Sequence, residues 1–282
     1  MKTAIIDTGG GLRAIYACGV LDRCMADGIE FDTCIGISAG SANVASFLAG
    51  QYKKNYRFYT EFSARKEYMS LRNFITKRSY IDLDYIYGVL SNSDGEAPLD
   101  YQRIMENPAE LQVIATNALT GKPTYFDKRD MKQDSYGILG ASSCIPLVCS
   151  PYYIDGVPYY DGAFSDPIPV QRAFEMGCDR VVVVICKPKS FYRDQKKDHK
   201  IYSGIKRKFP NAAETALARA ELYNSQLNAA LEYERQGRVL IVAPSPDDSA
   251  MGTLSRNVDE MDALYECSYR DAAEIGAFIS GK

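Results

Sequence analysis

Hydrophobic and polar residues follow two different spacings in the first fifty residues of the chain. A short β-branched run over residues 3–7 ends in three consecutive glycines, and apolar residues then recur at helical spacing over 12–27. A second strand is predicted over 31–37, and it leads through another glycine turn into small and apolar residues that favour a helix over 41–48. Repeated strand–turn–helix units of this kind predict parallel βαβ units.

The later segments continue this arrangement. Residues 181–185 form a continuous Val/Ile run, which is typical of a central parallel strand that is buried on both faces. Further elements are predicted as strands over 111–116, 180–186 and 239–243, a hairpin over 152–160 around Asp155-Gly156, and long helices over 211–236 and 257–278. The pattern therefore predicts one α/β domain with a mostly parallel sheet.

Composition narrows the classes of protein that remain. The chain is 46% hydrophobic and 24% charged, which is ordinary for a globular protein. No apolar run approaches the roughly 20 residues of a spanning helix, and the first residues lack the apolar core of a secretory signal. The eight cysteines contain no C-x-x-C pair, so we expect reduced, buried thiols and a cytoplasmic protein.

Positive charge is concentrated in two stretches, although the net charge of the chain is −3. Residues 53–78 hold eight Lys/Arg and two Glu, and residues 187–208 hold nine Lys/Arg and two Asp. Each stretch could be a solvated surface, or the two could form a basic collar that makes peripheral contact with an anionic membrane. Nucleic acid is not expected, because no recognition motif accompanies the charge and the chain as a whole is acidic.

Ser38 lies in the motif Gly36-Ile37-Ser38-Ala39-Gly40, where a predicted strand turns into a predicted helix. A nucleophile elbow requires this context, because the sharp turn projects the serine hydroxyl above the sheet and small neighbours allow close backbone approach. The following helix presents free N–H groups toward developing negative charge. The motif also fits an ordinary turn, but its position favours a nucleophile.

A glycine-rich loop, Gly9-Gly10-Gly11-Leu12-Arg13, follows the first predicted strand. Consecutive glycines leave backbone N–H groups unobstructed, so these groups could donate to an oxyanion. The pattern Gly9-x-Gly11-x-x-Ala14 also matches a loose dinucleotide-binding fingerprint, with Glu30 or Asp32 as the acid that would bind a ribose. That second interpretation gives Ser38 no role, and we regard it as the weaker one.

A serine nucleophile needs a base, and the sequence offers carboxylates rather than histidine. His199 is the only histidine and lies in a charged stretch typical of a solvated surface, which disfavours both a histidine triad and a His-rich metal site. Asp161 follows the predicted hairpin and precedes a proline-containing loop. Asp155 competes with it, but a hairpin turn explains Asp155 completely. We therefore expect Asp161 to be the base and expect no metal or cofactor.

These motifs together resemble the patatin-like phospholipase family. Four blocks carry the resemblance in the expected order: Gly9-Gly10-Gly11-Leu12-Arg13, Gly36-Ile37-Ser38-Ala39-Gly40-Ser41, Ala141-Ser142-Ser143-Cys144-Ile145-Pro146 and Asp161-Gly162-Ala163. Residues 115–121 also resemble the family's mid-domain strand and turn. Two positions depart from the family pattern: Ala14 replaces the glycine after the arginine, and Ala163 replaces the second glycine of Asp-Gly-Gly.

The resemblance implies a single-domain, three-layer α/β/α sandwich with a nucleophile elbow. Residues 1–190 would form the catalytic core, with 52–90 as an aromatic and basic cap, and residues 191–282 would pack on the same domain. It implies a dyad in which Ser38 is the nucleophile and Asp161 the base. The other implied site residues are the oxyanion donors Gly9, Gly10, Gly11 and Ala39, and the supporting residues Arg13, Gly36, Gly40 and Gly162.

The implied activity is hydrolysis of carboxylic esters of lipids through an acyl-enzyme. Phospholipid, lysolipid, glyceride and small esters all remain open as substrates, as does the oligomeric state. The tyrosines of 52–90 could instead simply pack on the sheet. Two other functions stay in consideration: a lipid-binding or regulatory module without useful catalysis, and a nucleotide-binding oxidoreductase.

Overall fold

The computed structural model describes residues 1–249 and 251–281 of the chain. Its strands are β1 (Thr3–Asp7), β2 (Thr33–Ile37), β3 (Glu110–Asn117), β4 (Pro123–Asp127), β5 (Tyr152–Ile154), β6 (Val157–Asp161), β7 (Arg180–Val184) and β8 (Val239–Val242). Its helices are α1 (Ile15–Ala26), α2 (Ala39–Leu48), α3 (Lys54–Thr60), α4 (Leu71–Lys77), α5 (Tyr101–Glu106), α6 (Gly137–Ser142), α7 (Val170–Glu175), α8 (Asp198–Ile205), α9 (Pro210–Arg235), α10 (Val258–Asp271) and α11 (Ile275–Ser280).

The strands of the described residues form one eight-stranded sheet in the order β5-β6-β3-β2-β1-β7-β8, with β4 also paired to β3. The five adjacent strands β3-β2-β1-β7-β8 are parallel to one another. The remaining strands β4, β5 and β6 pair with their neighbours in antiparallel orientation. The predicted mostly parallel sheet is therefore confirmed. Strand β4 was not predicted, because Phe126 is its only buried residue and its sequence shows no alternation of apolar and polar positions.

Both faces of the central strands are buried. In β1, Ile5 packs into one hydrophobic core while its neighbours Ala4 and Ile6 pack into another, as alternating strand residues must. The core on the Ile5 side includes residues of α1, α2 and α10, and the other core includes residues of α7 and α9. Helices therefore cover both faces of the sheet, and the predicted three-layer α/β/α arrangement is confirmed.

Two predicted helical regions are broken into shorter pieces. The helix predicted over 257–278 is divided by a 3₁₀ turn at Ala272–Glu274 into α10 and α11. Segment 52–90 contains α3, α4 and a π-helical turn at Tyr85–Leu90 rather than continuous helix. Left-handed residues mark its breaks, since Lys53 has φ 57° immediately before α3 and Arg78 has φ 54° immediately after α4.

The C-terminal part of the chain shares elements with the N-terminal part. Strand β8 pairs in parallel with β7, and Met261 of α10 is fully buried in the same core as residues of α1. All eight cysteines are buried and unpaired, as predicted. Among the helices of residues 1–249 and 251–281, none combines the length and the apolar character that crossing a membrane requires.

Candidate active site

Ser38 occupies the sharp turn between β2 and α2. Its backbone has φ 57° and ψ −135°, a conformation that non-glycine residues rarely adopt. The turn is held by hydrogen bonds: the Ser38 N–H donates to Ser142 Oγ at 2.8 Å, and the Ser41 hydroxyl donates to the Ser38 carbonyl at 2.7 Å. Ser142 in turn donates to the carbonyl of Ile114 in β3 at 2.6 Å. The strained turn is thereby fixed to the sheet.

Small residues around Ser38 are required by close packing. A Cβ atom at Gly36 would lie 2.4 Å from Ser41 Cα, and one at Gly40 would lie 2.4 Å from the Asp7 carbonyl oxygen. Gly162 is equally confined, because a Cβ atom there would lie 2.1 Å from the Ile114 carbonyl oxygen. These glycines let β1, β3 and the elbow approach one another closely.

Asp161 ends β6, and its carboxylate interacts with the Ser38 hydroxyl, which favours the ionised form. Only 3% of its surface is exposed, and its Oδ1 also accepts the Ala163 N–H at 2.8 Å. Burial raises the pKa of Asp161 above its usual value, while the Ser38 hydroxyl, the charge of Arg219 and the Ala163 N–H act in the opposite direction. A carboxylate with a raised pKa is a stronger proton acceptor than an exposed aspartate.

Asp155, the competing aspartate, lies in a different environment. It is exposed, has φ 48° and is followed by Gly156 with φ 78°, so the two residues form the tight turn between β5 and β6. The turn accounts for this Asp-Gly pair.

The glycine-rich loop lies beside Ser38, since a Cβ atom at Gly9 would be 2.9 Å from Ser38 Cβ. The N–H of Gly9 is occupied, because it donates to Asp7 Oδ1 at 2.8 Å. Within the described part of the chain, the N–H groups of Gly10, Gly11 and Ala39 have no acceptor. These three N–H groups are therefore free to donate to a ligand, whereas Gly9 contributes its left-handed backbone, with φ 66°, rather than its N–H.

Asp7 and Asn43 hold the loop in place, and the sequence analysis gave neither residue a role. The Asn43 amide donates to Asp7 Oδ2 at 2.9 Å and to the Ala14 carbonyl at 3.0 Å, and the Tyr59 hydroxyl donates to Asn43 Oδ1 at 3.1 Å. Burial raises the pKa of Asp7 to about 7. An acid that ends a buried strand directly before a glycine loop was the available signal for Asp7.

The dinucleotide-binding interpretation does not fit the position of Asp32. This carboxylate accepts the Thr3 N–H at 2.6 Å and the Thr3 hydroxyl at 3.0 Å, at the point where β1 and β2 begin. The glycine loop follows the end of β1, which is parallel to β2. Asp32 and the loop therefore lie at opposite edges of the sheet, whereas the fingerprint requires both at the same edge.

A narrow cavity, with about 60 Å³ of space, opens at Ser38. Its wall is mainly apolar and aromatic, and segment 52–90 supplies much of it, including Phe58, Tyr59, Tyr68, Ile86, Tyr87 and Leu90. The space holds a few water molecules or a short acyl group. A long acyl chain therefore requires the wall to move.

His199 lies in the first turn of α8 and is exposed. Within the described residues, no hydrogen bond or ion pair connects it to Ser38 or Asp161. The arrangement of Ser38, Asp161 and the glycine loop can remove a proton from a hydroxyl and hold an oxyanion without histidine.

We expect His199→Ala to retain the wild-type rate within about twofold, because a side chain outside the site moves no proton. Initial rates on a short-chain nitrophenyl ester measure this. A loss of about 10²-fold, which is typical of a missing general base, would contradict the arrangement and require a triad.

Comparison with protein-family models finds the model described as Patatin-like phospholipase over residues 8–174. The chain belongs to this family. An uncharacterized protein of Escherichia coli (strain K12), YjjU, is 29% identical over 196 residues, which is 68% of this chain and 54% of that protein. An uncharacterized NTE family protein of Mycobacterium tuberculosis (strain H37Rv) is 21% identical over 65% of this chain and 48% of its own length. The chain spans about half the length of these relatives.

The fold also matches a solved structure. The crystal structure of VipD from Legionella pneumophila superposes with a TM-score of 0.57 over 99% of this chain and 67% of that chain, at 10% sequence identity. At this level of identity the similarity concerns the fold. It agrees with the patatin-like arrangement of sheet and flanking helices.

The two departures from the patatin-like pattern are tolerated by the backbone. Ala14 has φ −67°, and neither Ala14 nor Ala163 is among the residues with positive φ. Neither position therefore needs the conformational freedom of glycine.

A C-terminal segment outside the matched family region covers the glycine loop. The Thr253 carbonyl accepts the Leu12 N–H at 2.8 Å, and its hydroxyl accepts from Arg13 Nη1 at 2.8 Å. Leu254 lines the cavity, and Arg256 donates to the Met69 carbonyl at 2.7 Å. No sequence motif predicted these contacts, although Arg13 itself was predicted to be a supporting residue.

Proposed function

We propose that this protein is a serine acyl hydrolase that cleaves carboxylic esters of lipids through a Ser38–Asp161 dyad. The observation that carries the proposal is that the buried Asp161 carboxylate interacts with Ser38, which lies on a strained turn and lines a mainly apolar cavity. Membership of the patatin-like phospholipase family supports a lipid-related hydrolase.

In the first half of the reaction, Asp161 accepts the Ser38 proton while Ser38 Oγ attacks the ester carbonyl carbon. The resulting oxyanion is stabilised by the N–H groups of Gly10, Gly11 and Ala39, together with the N-terminus of α2. The tetrahedral intermediate then collapses, the alcohol leaves with the proton held by Asp161, and the acyl group remains on Ser38.

In the second half, water attacks the acyl-enzyme. Asp161 accepts a proton from this water, and the same donors stabilise the second oxyanion. Collapse releases the carboxylic acid and returns the proton to Ser38 Oγ. Since a buried carboxylate is a weaker base than the imidazole of a triad, we expect modest turnover on unactivated esters.

The apolar wall of the cavity supports an acyl group as the part of the substrate that it holds. A cytoplasmic protein that meets lipid at a membrane surface is our proposal for location, and the basic stretches 53–78 and 187–208 support contact with anionic lipid.

Labelling with a fluorophosphonate tests the proposal directly. We expect the wild-type protein to be labelled at Ser38 and a panel of short-chain esters, glycerides and lysolipids to be hydrolysed, with both signals absent in Ser38→Ala. An unlabelled wild-type protein that still binds lipid would support a non-catalytic module instead.

A further inference from the structure

Lys54 is the one charged side chain among the described residues that line the cavity at Ser38. The other lining groups are apolar, aromatic, amide or hydroxyl groups. Lys54 lies in the first turn of α3, where a positive charge meets the positive end of the helix dipole. Local helix stability therefore does not explain a lysine at this position.

The Lys54 ammonium also lacks a counter-ion. Within residues 1–249 and 251–281, no carboxylate lies within ion-pair distance of it. Lys54 is partly buried, and this burial lowers its pKa to about 8, with only the Cys18 thiol acting in the opposite direction. Partial burial of an unpaired charge is unfavourable, and an anionic ligand in the cavity would supply the missing opposite charge.

The preceding residue provides a contrast. Lys53 is exposed, and its ammonium lies 5.8 Å from the ring centre of Tyr52 and 5.7 Å from that of Tyr56. These cation–π contacts give Lys53 a structural role outside the cavity. Two adjacent lysines of the same charge thus differ in whether they reach the site.

We propose that Lys54 binds an anionic oxygen group of the substrate, a phosphate or a carboxylate, inside the cavity that contains Ser38. The assignment rests on the proposed acyl hydrolase function and narrows it to esters that carry a negative charge near the scissile bond. A neutral glyceride or simple fatty ester would leave the ammonium unpaired.

Matched substrate pairs test the assignment and separate the two sources of charge. The phosphate pair is short-chain monoacylglycerol 3-phosphate and the corresponding monoacylglycerol. The carboxylate pair is nitrophenyl glutarate and nitrophenyl pentanoate. We expect Lys54→Met to lower kcat/KM on the charged member of one pair by about 10- to 100-fold, as loss of a charge-assisted hydrogen bond would, and to leave the neutral member within about twofold.

Two variants control for charge and structure. Lys54→Arg should retain part of the preference for the charged ester, and Lys53→Met should leave both members of each pair unchanged. Equal losses on charged and neutral esters in Lys54→Met would overturn the proposal, because they would indicate a structural role.

Binding without turnover separates this proposal from the proposed function. Glycerol 3-phosphate and glutarate are titrated calorimetrically into Ser38→Ala and into Ser38→Ala combined with Lys54→Met. We expect one of the two anions to bind the first protein and not the second. Binding of neither anion, or equal binding to both proteins, would overturn the role of Lys54, whereas absence of Ser38-dependent hydrolysis of every ester would overturn the acyl hydrolase function.

A second inference concerns Arg219 of α9, which lies beyond the matched family region. Its Nε donates to the Ala163 carbonyl at 3.2 Å, and its guanidinium carbon lies 4.1 Å from the centre of the Phe164 ring. Ala163 and Phe164 form the 3₁₀ turn that Asp161 caps. Arg219 therefore contacts the turn at Ala163 and Phe164, in addition to the Asp161 cap.

The charge of Arg219 acts on the same carboxylate. Asp161 interacts electrostatically with Ser38, Arg219, Arg193, Tyr87 and Cys144. Arg219 interacts in the same way with Asp161, Arg193 and Asp198. Burial lowers the pKa of Arg219 to about 10, which leaves the guanidinium charged at neutral pH. After the Ser38 hydroxyl, Arg219 is the largest influence that opposes the effect of burial on Asp161.

We infer that Arg219 is a positioning residue that holds the Asp161 turn and keeps the carboxylate ionised near neutral pH. Like the first inference, this one rests on the proposed dyad. The base works only when deprotonated, so removing the positive charge should cause activity to fall at a higher pH as the solution is acidified.

The pH profile of kcat/KM provides the test. We expect Arg219→Gln to move the acidic limb of the profile upward by about one pH unit. Arg219→Lys keeps the positive charge, so we expect it to shift the limb by only part of that amount. Arg238→Gln is the control, because its guanidinium lies 4.0 Å from the Phe174 ring centre and does not contact the turn.

An unshifted limb in Arg219→Gln, or a pH-independent loss with a lowered Tm, would overturn the inference. Carbon NMR titration of the Asp161 carboxyl measures the same shift without turnover. A shifted titration in a protein without esterase activity would support the charge effect while contradicting the dyad.

Discussion

Ser38→Ala should abolish ester hydrolysis while leaving the protein folded. The substitution removes the proposed nucleophile, and loss of a serine nucleophile typically costs about 10³-fold or more. An alanine at this position would keep the strained backbone without a new clash, since only the oxygen is lost. Asp161 would lose its interaction with the Ser38 hydroxyl and keep the hydrogen bond from the Ala163 N–H, so we expect a change in the free energy of unfolding of about 1 kcal/mol.

Ser143→Ala is the matched control for this prediction. Ser143 lines the same cavity, but its hydroxyl is hydrogen-bonded to Tyr87 at 3.2 Å rather than to Asp161. We expect its rate to remain within a few-fold of wild type. If Ser38→Ala retained more than about a tenth of the wild-type rate on a short-chain nitrophenyl ester, the nucleophile would have to be another residue.

The sheet was predictable because its central strands are buried on both faces. Strand β1 has the predicted bounds Thr3–Asp7, and β7 begins at Arg180 as predicted. Continuous apolar runs of this kind are typical of parallel strands that are buried on both faces, so they predict such strands directly. Strand β4 was missed because pairing with β3, rather than any periodic pattern of its own, makes it a strand.

The contacts that join the proposed dyad to distant parts of the chain were beyond sequence reasoning. Ser142 fixes the Ser38 N–H although the two residues are 104 positions apart, and Arg219 reaches the Ala163 carbonyl across 56 positions. Motifs record short-range geometry, and neither contact is short-range. Lys54 was inconspicuous for another reason: in the sequence it is one of eight basic residues in 53–78, and only folding separates it from Lys53.

Backbone conformation also corrected one expectation about the glycine loop. Three consecutive glycines are equivalent as letters of a sequence, yet the N–H of Gly9 points to Asp7, while those of Gly10 and Gly11 have no acceptor among the described residues. The distinction depends on Asp7, whose orientation is set by Asn43 from α2. A pattern of glycines alone could not identify which donors are free.

Asp161→Asn should be nearly as damaging as Ser38→Ala, whereas Asp155→Asn should be mild. An amide cannot accept the Ser38 proton, and proton-transfer catalysis is typically worth 10²–10⁴-fold, so we expect a rate at least about a hundredfold below wild type. Asparagine is nearly isosteric, and its oxygen can still accept the Ala163 N–H. The lost rate would therefore report chemistry rather than unfolding, and an unchanged Tm checks this.

Asp155 is the matched control because it shares the Asp-Gly sequence but lies in the β5–β6 turn. Its backbone φ of 48° is a left-handed conformation that asparagine adopts as readily as aspartate, so Asp155→Asn preserves the turn. Initial rates of both variants on the same nitrophenyl ester compare the two positions directly. Equal, small effects would remove Asp161 from the mechanism, and a large effect at Asp155 alone would assign the base to the hairpin turn instead.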